Sequence, residues 1–251
     1  MLDTFALKMT HKTKGIVLRS IKYGETSLVV TIFTELFGVQ TYMVNGVRSS
    51  KKTSATAAHF QPAAILDMIV YHKPSQQMQR IKEFSWAYLY RDILSDVIRN
   101  SIAIYMVELL HKCLKQPEPN SELFNFCEAA LIHLDESERS TIANYPLFFA
   151  LQLPHFFGFR MSDNYSKNSS ILDLIEGNFT DDQPTHPHFI DGENAGLTSQ
   201  LLKVMQPHEL SSFSLNRDTR RSLLLKYHDY YALHIHEFGQ MKTLKVLTDV
   251  L

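Results

Sequence analysis

Residues 13–46, TKGIVLRSIKYGETSLVVTIFTELFGVQTYMVNG, alternate between apolar and polar side chains with a period of two and are rich in β-branched and aromatic residues. Both features are typical of strands. The segments Tyr23-Gly24-Glu25 and Leu36-Phe37-Gly38 are short enough to form hairpin turns. The stretch therefore predicts three consecutive antiparallel strands, at 13–21, 26–35 and 38–46.

Two further strands are predicted downstream, at 63–72 and 77–85, with a turn at Lys73-Pro74-Ser75 between them. A longer connection, VRSSKKTSATAAHFQP at 47–62, separates the third strand from the fourth. Five strands with the long connection after the third fit a small OB-type barrel. An SH3-like barrel is the competing interpretation, and periodicity alone does not choose between them.

After Trp86 the apolar residues recur with a helical period. We expect helices at 86–116, with a break allowed near Ser95, from Asn120 or Ser121 to about 134, and at 139–157, 195–206, 207–213 and 217–238. Pro146 and Pro154 predict a kink or split in the third of these, and Gly158 should close it. The overall prediction is an α+β protein, with an OB-type barrel at 1–85 and a helical domain at 86–251 that contains an irregular insert at 160–194.

Composition narrows the class of protein. Hydrophobic residues make up 45% of the 251 and charged residues 20%, which excludes wholesale disorder. No run approaches the roughly 18 uncharged apolar residues of a membrane-spanning helix, and the N-terminus lacks signal-peptide features. Cys113 and Cys127 cannot form a disulfide framework or supply a four-thiolate metal site. We expect a cytoplasmic protein with no membrane contact.

The formal net charge of −1 conceals a strong asymmetry along the chain. Residues 1–82 contain eleven Lys and Arg but only four Asp and Glu, a formal charge of +7. The remaining residues contain fourteen Lys and Arg against twenty-two acids, a formal charge of −8. This asymmetry predicts a polyanionic partner for the first part of the chain.

Motifs that would indicate catalysis are absent from the sequence. Residues 46–53, GVRSSKKT, begin like a phosphate-binding loop, but Lys51 stands where the second glycine is needed. There is no Gly-x-Ser-x-Gly elbow and no His-Glu-x-x-His pair. His186 and His188 lack further ligands at zinc spacing, and two helical residues as close as His234 and His236 point in different directions. We therefore expect no enzyme activity, no cofactor and no metal.

Cations and aromatic residues are interleaved in the barrel segment, as they are in OB barrels that bind single strands. Tyr23, Phe60 and Tyr71 are further aromatic candidates for base stacking. An ordinary solvated basic face over core aromatics explains the same pattern, and the residues alone leave both interpretations open. The predicted DNA-binding residues are Lys12, Lys14, Arg19, Lys22, Tyr42, Arg48, Lys51 and Lys52.

Several short motifs then occur in a recognisable order. They are Gly15-Ile16-Val17-Leu18, Tyr23-Gly24-Glu25-Thr26-Ser27, Ile32-Phe33-Thr34, Gly38, Asn45-Gly46-Val47-Arg48 with Lys51-Lys52-Thr53-Ser54, and Pro62. In this order and spacing the first eighty residues resemble the RecO family of bacterial recombination mediators. Asn45 stands where that family usually has a lysine. Later segments at 105–110, 149–159 and 220–236 fit the same family more loosely. Many members bind zinc through paired Cys-x-x-Cys knuckles in the insert, but residues 160–194 contain no cysteine.

The resemblance implies a non-enzymatic, nucleoid-associated bacterial protein of DNA damage repair in the RecF pathway. Such proteins bind single- and double-stranded DNA, anneal complementary strands, and with RecR help to load RecA on DNA covered by single-stranded-DNA-binding protein (SSB). The family's helical domain captures the acidic, apolar C-terminal tail of SSB. The candidate residues for that tail are Phe148, Phe149, Leu153, His155 and Arg160.

Two other classes of function remain as alternatives. One is an OB-fold protein–protein adaptor that does not contact nucleic acid directly. The other is a nucleic-acid-processing enzyme, which would need a catalytic cluster that the sequence does not contain.

Overall fold

The computed structural model describes residues 10–47 and 56–250. They form two compact units, each with its own core. The first contains the residues up to Tyr90 together with Leu114–Ile132, and the second contains Arg91–Cys113 and the residues from His133 onward. The predicted boundary between residues 85 and 86, as a division between independently folding domains, stays a prediction.

Five strands build the first unit. They are β1 (Thr10–Tyr23), β2 (Ser27–Thr34), β3 (Gly38–Val44), β4 (Ile65–Tyr71) and β5 (Met78–Tyr88). The strands close into a barrel in the order β1-β2-β3-β5-β4, with β4 pairing back to β1. All pairs are antiparallel except β3 with β5. The OB-type barrel is confirmed, and closure leaves no long sheet edge exposed.

Alternate side chains of the strands fill the barrel interior, as the period of two predicts. The enclosed cluster includes Val17, Val30, Ile32, Tyr42 and Leu66, each with no measurable exposure. Gly15 faces the same interior, where an added Cβ would collide with the ends of Met68 and Ile32. A larger residue at position 15 would therefore have to displace core side chains.

One short stretch of chain covers part of the outer barrel wall. Phe124 lies with its ring 5.6 Å from that of Phe33 on β2. Gly38, at φ +63°, lies so close to the carbonyl groups of Pro117 and Glu118 that a Cβ there would collide with them. Position 38 therefore requires glycine for both its backbone conformation and this close approach.

The helical elements differ in detail from the prediction. They are α1 (Val97–Cys113), α2 (Ser121–Glu136), α3 (Arg139–Ile142), α4 (Tyr145–Gln152), α5 (Gly192–Leu202), α6 (Arg217–His234) and α7 (Lys242–Val250), with 3₁₀ turns at Leu153–Phe157 and Pro207–Ser212. The prediction of α2 is confirmed, with Asn120 Oδ1 accepting from Leu123 N at 2.9 Å. Helix α7 was not predicted.

The predicted helix at 86–116 is wrong at its start. Residues 86–88 belong to β5, and α1 begins only at Val97. The start is set by Asp96, whose Oδ1 accepts from the backbone N–H of Ile98 at 2.9 Å and of Arg99 at 3.0 Å. These hydrogen bonds are the N-cap arrangement. Backbone hydrogen bonds to Arg99 and Ile98 outweigh the effect of burial and lower the pKa of Asp96.

The split predicted at the prolines is confirmed. Residues 139–157 form α3, α4 and a 3₁₀ turn instead of one helix. Pro146 and Pro154 each occupy the first turn of the element that follows a break, where a missing N–H costs nothing. Gly158 ends the last element in the left-handed region, at φ 78°.

The insert contains a three-stranded sheet, β6 (Ile171–Asp173), β7 (Asn178–Thr180) and β8 (Phe189–Ile190), with β6 in the middle. Asn164 acts as an extra strand partner of β7, because its side-chain amide accepts from Phe179 N and donates to Phe179 O, both at 2.8 Å. Asp173 pairs with His186 at 3.2 Å. Polar side chains therefore hold this insert together.

Candidate nucleic-acid interface

A β-bulge in β1 decides which way the predicted cations of that strand point. Val17 pairs with Ile32, but Arg19 pairs with Thr31, so the register shifts by one residue at Leu18. Before the shift, odd-numbered residues such as Val17 face the core. After it, Arg19 points outward, because an extra residue exchanges the two faces of a strand.

Lys12 and Lys14 precede the bulge and have acids beside them. Lys14 Nζ lies 2.8 Å from Glu128 Oε1 and pairs in register with Asp67. The hydrogen bond to Glu128 raises the pKa of Lys14, so its charge is retained but already paired. Lys12 is exposed and lies in the same row as Ile69 and Glu83. These two lysines face a wall of mixed charge.

Arg19 and Lys22 follow the bulge and have different surroundings. Paired residues on adjacent strands share a face of the sheet. One outer row is therefore Arg19, Thr31, Thr41 and Met78, and the next is Ile21, Val29, Met43, Arg80 and Tyr71. We call these nine residues the outer face. Neither row contains an Asp or Glu, but Glu83 occupies the neighbouring outer row on β5. Lys22 pairs with the core residue Leu28 and is exposed where β1 ends.

The outer face also exposes apolar area. Ile21 and Met78 are 44% and 41% exposed, and Tyr23, at the adjoining hairpin turn, is 58% exposed. Ile21 lies two residues from Arg19 on β1, and Met78 lies two residues from Arg80 on β5. Exposed apolar side chains beside cations suit a ligand that has flat apolar groups along an anionic backbone.

Arg80 was not among the predicted site residues. It reaches the outer face because β5 pairs with β3 in parallel, with Met43 opposite Arg80. The sequence signal was its position in a predicted strand, but the neighbours of that strand could not be deduced from the sequence. This pairing places Arg80 in the outer row of Ile21, Val29 and Met43, one row from that of Arg19.

Tyr42 has to be removed from the predicted DNA-binding residues. Its side chain has no exposed area, and burial raises its pKa well above the usual range. Phe60 is likewise buried, at 1% exposure, in the barrel core. Strand alternation places Tyr42 inside, and the connection before β4 places Phe60 there, so neither ring can stack on a base. Tyr23 is the candidate whose ring is open to solvent.

Arg48, Lys51 and Lys52 lie outside the described residues. The residues on either side of this segment pack against the barrel. Val47 is buried in the core, and His59 stacks on Trp86 with ring centroids 4.5 Å apart. Trp86 is the single tryptophan of the chain, so its fluorescence reports on this part of the barrel.

The residues predicted to hold an SSB tail are divided by the structure. Phe148, Phe149 and Leu153 are at most 4% exposed, so they belong to the core of the second unit. His155 and Arg160 are exposed. The phenylalanines therefore support the fold and are not available as docking surface.

A cationic pocket is lined in part by Pro146 and Leu147, which directly precede Phe148 in α4. Three arginines from the first turns of α6 line it together with apolar side chains of the α3–α4 region and one residue of α7. The lining residues are Ala143, Pro146, Leu147, Arg217, Arg220, Arg221, Leu224 and Thr248. We call this the arginine pocket. The pocket is small, and apolar side chains and three arginines line it together. Apolar groups beside guanidinium groups suit an apolar peptide that carries carboxylates.

Within the described ranges 10–47 and 56–250, no cluster of three or more His, Cys, Asp or Glu could hold a metal ion. The histidines noted in the sequence have protein partners, since His186 pairs with Asp173 and His234 Nε2 lies 3.0 Å from the carbonyl oxygen of Leu174. No helix in that part of the chain is long and apolar enough to cross a membrane.

A closed OB-type barrel followed by a helical region places this protein in the class of multidomain OB-fold proteins. Within that class the chain belongs to the RecO family. The family model described as Recombination protein O N terminal matches residues 9–90, and the model described as Recombination protein O C terminal matches residues 94–243.

Curated relatives agree over nearly the full length. A DNA repair protein RecO from Flavobacterium psychrophilum is 34% identical over 244 residues, covering 96% of this chain and 99% of the relative. The proteins of the same name from Phocaeicola vulgatus and Bacteroides fragilis are each 30% identical, with the same coverage.

Proposed function

We propose that this protein is a recombination mediator of DNA repair that binds single- and double-stranded DNA and anneals complementary strands without catalysing a covalent step. The single observation that carries the proposal is the outer face, on which cations and exposed apolar side chains occur together without acids. Membership of a family whose curated members are named DNA repair protein RecO supports it.

The outer face suits single strands for a physical reason. Arg19 and Arg80 neutralise phosphates and release condensed counterions. Ile21, Met78 and Tyr23 offer apolar surface to unstacked bases, which a duplex keeps hidden. Covering the charge of one strand reduces its repulsion of a second strand. Annealing follows as a consequence of charge neutralisation and needs no ATP.

The partner part of the proposal concerns SSB, RecR and RecA. We place the acidic, apolar C-terminal tail of SSB at the arginine pocket, because apolar side chains and three arginines line it together. A protein that holds the SSB tail and the DNA together is positioned, with RecR, to assist loading of RecA. This location replaces the one centred on Phe148 and Phe149.

The DNA proposal is tested by annealing of two labelled complementary oligonucleotides without ATP. The Arg19→Ala/Arg80→Ala variant should bind single strands at least tenfold more weakly at low salt and anneal slowly, because two phosphate contacts are lost. The matched control is Lys12→Ala/Lys82→Ala, which removes the same charge from the same two strands at positions beside Glu83.

Comparison of the two variants distinguishes specific contacts of Arg19 and Arg80 from an effect of total charge. Equal loss in both variants would mean that only total charge matters and would remove the outer face from the site. No binding of the wild-type protein even at low salt would make the barrel a protein-facing surface. The adaptor alternative would then take precedence over the mediator.

The tail location is tested by fluorescence anisotropy with a labelled peptide that has the SSB C-terminal sequence. Arg221→Ala should weaken binding several-fold, since it removes a guanidinium from the rim. Arg160→Ala should leave binding unchanged. The reverse pattern would return the tail to the surface around His155 and Arg160.

A further inference from the structure

Helix α7 is held at its N-terminal end by a carboxylate from another helix. Glu108, on α1, accepts hydrogen bonds from Lys242 N at 2.9 Å, Thr243 N at 2.8 Å and Thr243 Oγ1 at 2.6 Å. A negative charge at this position also complements the helix dipole. The N-terminal cap of α7 is therefore supplied from a distant part of the chain.

The other end of α7 is held by a cation. A terminal nitrogen of Arg217, in the first turn of α6, donates to the carbonyl oxygens of Thr248 at 3.2 Å and Asp249 at 2.8 Å. The last carbonyl groups of a helix have no partner within the helix. Both ends of α7 thus depend on ionic side chains from other helices.

Between these two ends α7 packs against α1, but little of its own surface is buried. Among its residues only Leu247 and Thr248 are buried, while Lys242, Lys245 and Val246 are exposed. A helix of nine residues has little stability by itself. Segments with few buried contacts open locally at a lower cost than global unfolding. Helix α7 has the features of such a segment.

The attachment of α7 overlaps the arginine pocket. Thr248 and Arg217 both line that pocket. The guanidinium group of Arg217 donates hydrogen bonds to neutral backbone carbonyl groups of α7. A carboxylate is a stronger partner for a guanidinium than a carbonyl oxygen is. An acidic ligand that takes Arg217 would remove the C-terminal hold on α7.

We propose that α7 is a displaceable strap, held beside the arginine pocket by Glu108 and Arg217, and that docking of α7 competes with binding of an acidic peptide for Arg217. The identity of the peptide rests on the proposed function, whereas the strap itself rests on the contacts of α7. The consequence is regulatory, because the tail would bind more tightly once the strap has opened.

The strap is tested by hydrogen exchange on the full-length protein. Amides of 242–250 should exchange far faster than those in the middle of α6, and Glu108→Gln should accelerate 242–250 by a further tenfold or so, because a charged cap is lost. Glu176→Gln, an exposed charge change in the insert, is the matched control. Exchange of 242–250 at the rate of α6, or acceleration throughout the unit, would overturn the strap.

The competition is tested with the labelled SSB-tail peptide. Adding peptide to the wild-type protein should accelerate exchange in 242–250, and Glu108→Gln should bind the peptide several-fold more tightly. Slower exchange, or weaker binding by Glu108→Gln, would show that α7 is a wall of the site and would overturn the competition. A peptide that binds neither protein would remove the proposed tail site and with it the competition, and the strap would then be decided by the exchange rates alone.

Discussion

Asp135 shows how a single buried carboxylate can shape the start of a structural unit. Its side chain has no exposed area and accepts from the backbone N–H groups of Arg91, Asp92 and Ile93 at 2.9, 2.9 and 2.8 Å. Three amides that point at one anion fix the turn that precedes α1. Residues 91–96 therefore cannot extend the helix as the sequence predicted.

Replacing Asp135 by Asn should destabilise the protein by about 3 kcal/mol, because hydrogen bonds to a charged acceptor are lost and an NH₂ group faces buried donors. Urea unfolding followed by circular dichroism measures the loss. Asp229→Asn, an exposed charge change on α6, is the control and should cost almost nothing. A loss below about 0.5 kcal/mol for Asp135→Asn would contradict this role.

His228 on α6 predicts a pH dependence of stability. Burial lowers its pKa to about 4, while its Nε2 lies 3.1 Å from the buried hydroxyl of Tyr105. The unfolded chain has the ordinary histidine pKa of about 6.5 and binds the proton more readily. The free energy of unfolding should therefore fall as pH drops from about 6.5 towards 4, by about 2 kcal/mol at pH 5.

The measurement compares the wild-type protein with His228→Gln by urea unfolding at pH 7.5 and pH 5. The variant should lose about 2 kcal/mol less over this interval, since the group that takes up the proton on unfolding is gone. Equal losses in the two proteins would show that His228 does not titrate differently in the folded and unfolded states.

Among the secondary-structure elements, the insert shows how polar contacts hold a small sheet together. Asn164 both donates to and accepts from the backbone of Phe179 on β7, and Ser162 N donates to Gly177 O at 2.7 Å. The side chain thereby continues the ladder of a sheet whose strands are only two or three residues long. The conformation of the insert therefore depends on its position 164.

Asn164→Asp keeps the acceptor but removes the donor and places a carboxylate against the Phe179 carbonyl. Amides of 171–190 should exchange at least tenfold faster, while α6 and the barrel remain unchanged. Hydrogen exchange resolved by peptide measures this, with Asn178→Asp, an exposed position of β7, as the control. Global acceleration would indicate that the insert is not a separate opening unit.

In the molecule as a whole, the separation of charge governs the response to salt. A chain with a net charge of −1 should still bind DNA with a steep salt dependence, because residues 1–82 carry a formal charge of +7. Replacing Arg48, Lys51 and Lys52 by Ala should reduce the slope of log K against log salt by about one unit for each true phosphate contact.

The matched control removes three cations from the acidic part of the chain, Arg139, Lys167 and Lys245. It should leave the slope unchanged although the net charge falls by the same amount. Binding of a labelled oligonucleotide at several salt concentrations gives both slopes. An unchanged slope in the first variant would remove the 48–52 segment from the site. An equal reduction of the slope in both variants would indicate a purely nonspecific charge effect.

The sequence by itself determined the features that depend on local chemistry. Period-two alternation and short turns predicted the five strands, because one face of each strand has to be buried, and the long connection after the third strand favoured an OB-type barrel. Pro146, Pro154 and Gly158 predicted the division of the 139–157 segment, since each restricts its own backbone. The charge asymmetry between residues 1–82 and the rest follows from counting charged residues, and the order of short motifs indicated the RecO family.

Only the tertiary structure decided which of these residues share a surface. A bulge at Leu18 turned Arg19 outward, and parallel pairing of β5 with β3 placed Arg80 opposite Met43. Lys14 forms an ion pair with Glu128, which is 114 positions away in the chain. Tyr42 lay in the interior, and α7 acquired its caps from Glu108 and Arg217. These outcomes depend on contacts between residues far apart in the chain, which local patterns do not encode.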